Sequence, residues 1–228
     1  MFIKKNYGRL VSIAIVGLLG GASVLAGSGS VAALAREEVE QPKYAVVHTG
    51  DGYEIREYAP QIAARVKVQG DEGGAMNAGF RPLADFIFGN NTTQADIAMT
   101  SPVTQTEAGS QEIAMTSPVT QTEAGEGEEG QWVMFIMPGE YTLDTLPKPN
   151  NERVELVEIP ARAMAVITFS GWGGSNMMQK KREELETALA AEGFEINGKP
   201  TYARYDPPWT MPWRRQNEVM LPVVWPKP

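Results

Sequence analysis

The chain of 228 residues has no cysteine and one histidine, His48. Disulfide stapling, thiol catalysis, thiolate-held iron–sulfur clusters and most zinc sites are thereby excluded, because each needs cysteines or several imidazoles. A serine hydrolase would have to use His48 as its base, and after residue 35 no serine sits in a Gly-x-Ser-x-Gly elbow. Basic residues are also scarce. Beyond residue 35 there are 17 Lys and Arg against 28 Asp and Glu, a net charge of −11. Nucleic acid is therefore a poor partner, since phosphate neutralisation needs clustered cations.

A long apolar run is missing as well. The longest stretch, Leu10 to Ala26, follows Lys4, Lys5 and Arg9 and precedes the small-residue site Ala33-Leu34-Ala35. It falls short of the roughly 20 residues that span a bilayer, so residues 1–35 read as a secretory signal peptide or, if uncleaved, as an N-terminal membrane anchor. Membrane contact is then expected only through residues 10–26, and the folded part on the extracytoplasmic or periplasmic side. Residues 36–43 form a charged connector ending near Pro42, and the folded domain is expected over 44–228.

What is present is repetition. Laying Glu54–Gly70 over Glu155–Gly171 at a constant offset of 101 matches Glu54 with Glu155, Glu57 with Glu158, Ala64 with Ala165 and Gly70 with Gly171. Val66 and Val68 fall on Ile167 and Phe169, alternating with polar residues as half-buried strands do. Each copy runs through a Gly-rich turn into a helix. The first helix is expected over about Ala75–Phe88, with Met76, Phe80, Leu83 and Ile87 on one face, Gly89 as its stop, and a kink or a late start near Arg81 imposed by Pro82. The second is expected over about Asn176–Glu192, with Ser175 as N-cap, Met178, Leu185, Ala188 and Leu189 buried, and Gly193 as its stop.

Strands are expected at Gln131–Met137, Pro200–Tyr205 and Glu218–Val224. Two strand–helix–strand–strand units fit one α+β barrel or sandwich with the helices outside. A second, local repeat is literal: IAMTSPVTQTEAG at Ile97–Gly109 recurs at Ile113–Gly125. It reads as two strands of one hairpin, followed by a flexible acidic stretch at Gly125–Gly130.

Glu54 and Glu57 are too far out of phase along a strand to act as a catalytic pair. Met99, Met115, Met134 and Met137, with Tyr205, Trp209, Met211 and Trp213, are side chains suited to a flat apolar ligand, though equally able to fill a core. Arg214 and Arg215 beside the tryptophans could pair with ligand carboxylates or stack on the rings.

YEIREYAP at Tyr53–Pro60, the two IAMTSPV copies, FIMPGEYTLDTLPKPN at Phe135–Asn150 and YDPPWTMPWRRQNEV at Tyr205–Val219 together resemble the SOUL haem-binding family, in order from Tyr44 to Val224. The resemblance implies a distorted antiparallel β-barrel with two flanking helices and pseudo-twofold symmetry. It also implies haem or a related tetrapyrrole, bound in an apolar cleft beside the first helix. The expected binding residues are Met76, Phe80, Leu83, Ile87, Met99, Met115, Tyr205, Trp209, Met211, Arg214 and Arg215. Some family members carry a histidine directly after the YEIR motif as a proposed iron ligand. Here Glu57 takes that place, and His48 is the alternative metal ligand. Binding is expected to be non-catalytic, as by a carrier, buffer or scavenger. The alternatives are an effector-binding module, since the barrel resembles gyrase-inhibitor-like domains, and a tetrapyrrole-modifying enzyme.

Overall fold

The computed structural model describes residues 39–70, 72–93, 109–125 and 129–226. The leader and the first IAMTSPVTQTEAG copy up to residue 108 lie outside the described residues, and with them Met99. Eleven strands and two helices are formed among the rest, nine of the strands making one antiparallel sheet.

The first half contributes β1 (Tyr44–Thr49), β2 (Glu54–Tyr58), β3 (Gln61–Val68), α1 (Glu72–Ile87), the two-residue β4 (Asn91–Thr92), β5 (Val119–Glu123), β6 (Gln131–Ile136) and the two-residue β7 (Lys148–Pro149). The second contributes β8 (Val154–Ile159), β9 (Arg162–Phe169), α2 (Ser175–Glu192), β10 (Thr201–Arg204) and β11 (Asn217–Pro222). The sheet runs β1-β2-β9-β11-β10-β5-β6-β3-β8 and curls into a half-barrel, while β4 and β7 pair separately.

The offset of 101 is a structural symmetry. It carries β3 onto β9 residue for residue and β2 onto β8. Consecutive strands β2 and β3 do not pair. Instead β2 lies on β9 and β8 lies on β3, with Tyr58 opposite Arg162 and Gln61 opposite Ile159. The shift by 101 turns the first of these pairs into the second, so the two halves exchange strands about a pseudo-twofold axis.

Alternation sorts the side chains to the two faces of the sheet. One face carries the helices. Ala64, Val66 and Val68 of β3, with Val133 and Phe135 of β6, pack against Leu83, Phe86 and Ile87 of α1. Ile55, Ala165, Ile167, Val219 and Leu221 pack against Met178, Leu185 and Leu189 of α2. The concave face holds a third cluster around Tyr58, Met164, Val166, Ala203 and Met220.

Two local expectations are corrected. First, α1 starts at Glu72 and passes through Pro82. Burial of Leu83, Phe86 and Ile87 beyond the proline outweighs the backbone hydrogen bond it forfeits. Second, the N-cap of α2 is Gly174, which makes no side-chain cap, and Ser175 is the first helical residue. The expected hairpin between the two literal repeat copies falls in part on residues outside the described ones; the strand of the second copy, β5, is hydrogen-bonded on one edge to β6 and on the other to β10. The hairpin is β5–β6, closed by Ala124 N–H to the Gly130 carbonyl at 3.0 Å. The connector is held to the fold near its end. The Glu40 carbonyl accepts from Ser117 N–H at 2.9 Å and its carboxylate from Gly139 N–H at 3.0 Å.

Both helix stops are as expected. Gly89 and Gly193 have φ of 107° and 73°, and the next residue closes back on the last turn, Asn90 N–H to Asp85 O and Phe194 N–H to Leu189 O.

Candidate functional site

Strand exchange creates concavities where β2 turns into β3 and β8 into β9. One of about 810 Å³ opens at that end of the half-barrel. It lies between the connector, the Ala59-Pro60 and Pro160 turns, and the β6–β7 loop, with Ile62, Met137, Tyr141 and Leu143 in its wall and Lys43 at its edge. It shares Pro42, Gln61, Ile136, Glu158, Ile159 and Pro160 with an interior cleft of about 240 Å³ on the concave face of the sheet. A third, shallower cleft of about 590 Å³ lies across Tyr58 and Arg162, with Glu57 and Trp225 in its wall.

The interior cleft abuts the most polar part of the core. Glu218 is 1% exposed and Arg56 6%. The Glu218 carboxylate accepts from Arg56 Nη1 at 3.0 Å, Thr168 Oγ1 at 3.0 Å, Gln216 Nε2 at 3.2 Å and the Tyr205 hydroxyl at 2.6 Å. Arg56 also donates to Glu54 at 2.8 Å and sits over the Tyr44 ring. Burial alone would lower the Arg56 guanidinium, but Glu218 and its hydrogen bonds hold it above the usual arginine range. Burial, then the Glu218 carboxylate, pushes the Tyr205 phenol well above its usual value. Burial also pushes Tyr58 up to about 12, against the pull of Arg56.

Arg162 is the exception in this network. Its Nη2 donates to Gln61 Oε1 at 3.3 Å and its guanidinium lies 5.6 Å from the Tyr58 ring centre. Its Nη1, shielded from solvent, has no hydrogen-bond partner. Burial lowers the Arg162 guanidinium, with the Tyr58 phenol pulling it partly back.

Of the residues singled out from sequence, Met137 lines the cleft of about 810 Å³, Met134 and Tyr205 line the interior cleft, and Glu57 lines the third. Leu83 and Ile87 are completely buried between α1 and the sheet, and Met76 packs on the same core. Phe80 sits at the rim of that core, its ring edge-on to Phe135 at 5.4 Å. Met115 is exposed on the segment before β5. Trp209, Met211, Trp213 and Arg214 are exposed on the loop between β10 and β11, where Pro212–Arg214 form one 3-10 turn. Arg215 braces that loop, donating to the carbonyls of Thr210, at 2.7 Å, and Pro208, and lies over the Trp172 ring at 4.7 Å. The structure thus places the α1 set and the tryptophan loop in different halves of the fold.

His48 lines none of the three clefts. Its Nε2 is 3.1 Å from Glu192 Oε2, and its ring packs against Tyr53, Phe194 and Trp225. Among the described residues no group of three or more His, Cys, Asp or Glu side chains could hold a metal ion.

Sequence reasoning passed over Arg56, Tyr58, Arg162 and Glu218. Arg56, Arg162 and Glu218 are charged, and charged strand positions read as solvent-facing. They turn inward because the sheet curls around its concave face.

A family model described as SOUL heme-binding protein matches residues 39–222. The chain is 29% identical over 172 residues to Heme-binding protein 2 of Mus musculus and 28% to that of Homo sapiens, covering 74% of this chain and 77% of each relative. Among solved structures, the C-terminal domain of EcmrR superposes with a TM-score of 0.53 at 13% identity, over 75% of this chain and 96% of that one. A protein from Listeria innocua described as a hydrolase superposes with a TM-score of 0.51 at 14% identity, over 78% and 94%. At such identities these structures share the fold.

Proposed function

The chain belongs to the SOUL haem-binding family, and from that premise we propose that it binds a tetrapyrrole in the cleft of about 810 Å³, without catalysing its conversion. The observation carrying this reading is the cleft itself. Its volume lies within the roughly 300–1,000 Å³ of small-molecule sites, and Pro42, Pro60, Ile62, Met137, Leu143 and Pro160 give it walls that can lie against a macrocycle. Lys43 at its edge is a cation for a propionate.

The donor set fits an apolar macrocycle better than a histidine-ligated iron. With His48 held by Glu192 away from the cleft, affinity rests on contact area and charge pairing rather than on axial ligation. Metal-free protoporphyrin then binds nearly as well as haem. The non-catalytic reading is supported by the descriptions of the family and of the curated relatives, which name haem binding. The role that follows is carrier, buffer or scavenger. Residues 1–35 would deliver it across a membrane, which N-terminal sequencing of the protein recovered from a membrane-free extracytoplasmic fraction tests.

Absorbance titration with haem and protoporphyrin decides the matter. Both should give saturable Soret shifts, unchanged in His48→Ala. Ala59→Trp, which places an indole in the cleft from an exposed turn, should weaken both about tenfold or more. Lack of saturable binding at tens of micromolar would overturn the proposal. So would loss of binding in Phe80→Ala with Ala59→Trp unaffected, which would move the ligand to the face of α1.

A further inference from the structure

The interior cleft is too small for a macrocycle, at about 240 Å³, yet it is lined by a half-buried arginine, Arg162, whose solvent-shielded Nη1 has no hydrogen-bond partner among the described residues. Removing a guanidinium from water without pairing all its N–H groups costs free energy, which a fold retains only where something offsets it. The neighbouring arginines do not share the problem. Arg56 is paired to Glu218 and Glu54, and Arg65, also in the cleft wall, is paired to Glu155 at 2.9 Å and stacked on Trp132.

Arg162 has Gln61 alone as its hydrogen-bond partner among the described residues. The two are equivalent under the offset of 101, so at the pseudo-twofold axis a neutral amide on one strand faces a cation on the other. Besides the paired Arg65, the polar groups around them are Tyr58, Tyr205, Thr120, Thr201 and the exposed Glu158, and the apolar part of the wall includes Met134, Ile136, Val157, Met164 and Met220.

We propose that this cleft is a carboxylate-binding subsite in which Nη1 of Arg162 donates to the ligand's carboxylate, Gln61 orients the guanidinium, and the methionine-lined wall takes a short apolar body. The carboxylate has two sources. It is the propionate arm of a tetrapyrrole seated in the adjoining larger cleft, or it is a free organic acid of about benzoate size. The first source rests on the tetrapyrrole reading; the subsite itself does not. Glu158, lining both clefts, is the acidic group a carboxylate must pass.

The test titrates the full chain and its Arg162→Gln, Arg162→Lys and Glu158→Gln variants with protoporphyrin, protoporphyrin dimethyl ester and benzoate, by absorbance and calorimetry. If a propionate is the ligand, Arg162→Gln weakens the diacid about tenfold or more while leaving the ester within about twofold, a charged hydrogen bond being worth that much. Arg162→Lys recovers part of the loss, and Glu158→Gln tightens the diacid. If a free acid is the ligand, benzoate binds the native chain and is lost in Arg162→Gln, while diacid and ester behave alike. Benzoate binding that needs Arg162, with no porphyrin binding, keeps the subsite and overturns the tetrapyrrole reading. Diacid and benzoate binding to Arg162→Gln as tightly as to the native chain overturns the subsite and keeps that reading, and failure of all three probes overturns both. Arg162→Gln should melt no lower than the native chain, since it removes an unsatisfied buried charge.

Discussion

Replacing Arg56 by Met should destabilise the protein far more than its loss of one side chain suggests, and replacing Glu218 by Met in the same chain should return much of that loss. The reason lies in the burial of the pair. Arg56 Nη1 and Glu218 Oε1 are 3.0 Å apart with side chains 8% and 1% exposed. Breaking a buried pair from one side leaves the other charge uncompensated and costs about 3–5 kcal/mol, whereas an apolar pair of similar volume is near neutral. Tyr205, Thr168 and Gln216 would still surround the Glu218 carboxylate in Arg56→Met, which places that variant toward the lower end, about 3 kcal/mol. In the double variant those three donors lose an acceptor but none of them is fully buried, so about 1–2 kcal/mol of destabilisation should remain. The exposed pair Arg65–Glu155 is the control. Its side chains are 32% and 48% exposed, and Glu155→Ala should cost under about 1 kcal/mol. Guanidinium unfolding followed by tryptophan fluorescence measures all four. Additive single and double variants, or an Arg56→Met cost no larger than that of Glu155→Ala, would refute the claim that the concave-face pair holds the sheet together.

Alkaline stability should report Tyr58 and Tyr205, the two phenols that line the interior cleft. Both have folded pKa values above the unfolded value of 10.0, so they favour the folded state fully below pH 10, and this contribution is lost as pH rises toward about 12 and beyond. The loss should run at about 1.4 kcal/mol per pH unit per tyrosine, and Tyr205→Phe should shallow the slope; an unchanged slope would show that Tyr205 does not titrate on unfolding. Gly79→Ala tests the approach of α1 to β6, because an added Cβ would lie 2.5 Å from Val133 Cβ. In an open helix that exchange stabilises by about 1 kcal/mol, but overpacking of about 1–3 kcal/mol should lower the melting temperature here, with Val133→Ala restoring it; a rise in the single variant would refute the close approach. Arg162→Met should stabilise the ligand-free chain by about 1 kcal/mol in urea unfolding, since it removes an unpaired buried donor; a loss of stability would show that Arg162 has a structural partner.

Export and the signal reading belong to residues 1–35, and the doubled IAMTSPV segment belongs in part to residues outside the described ones; the described fold bears on neither. The family, by contrast, was legible in motifs spread along the whole domain, because these occupy turns and strand ends whose geometry the fold requires. YEIREYAP spans β2 and the turn where the halves exchange. YDPPWTMPWRRQNEV spans the loop that Arg215 braces and enters β11.

The sequence by itself determined the repeat and what rides on it: β3 and β9 at an offset of 101, two helices each ended by a glycine, and apolar alternation against them. These are local properties, set by periodicity of two or 3.6 residues and by the φ that glycine permits. It determined too that no thiol and no second imidazole could take part in any chemistry. The tertiary structure alone decided the pairing. Nothing in β2 or β3 announces that each will pair with the other half, or that β5 will have both edges filled by β6 and β10. That partner choice curls the sheet, and the curl turns Arg56, Tyr58, Arg162 and Glu218 inward from positions that a flat strand would offer to water. It also consumes Leu83 and Ile87 as core and opens a cleft of about 810 Å³ at the strand-exchange turns. A strand's parity is written in its own residues; which face is covered depends on segments a hundred residues away.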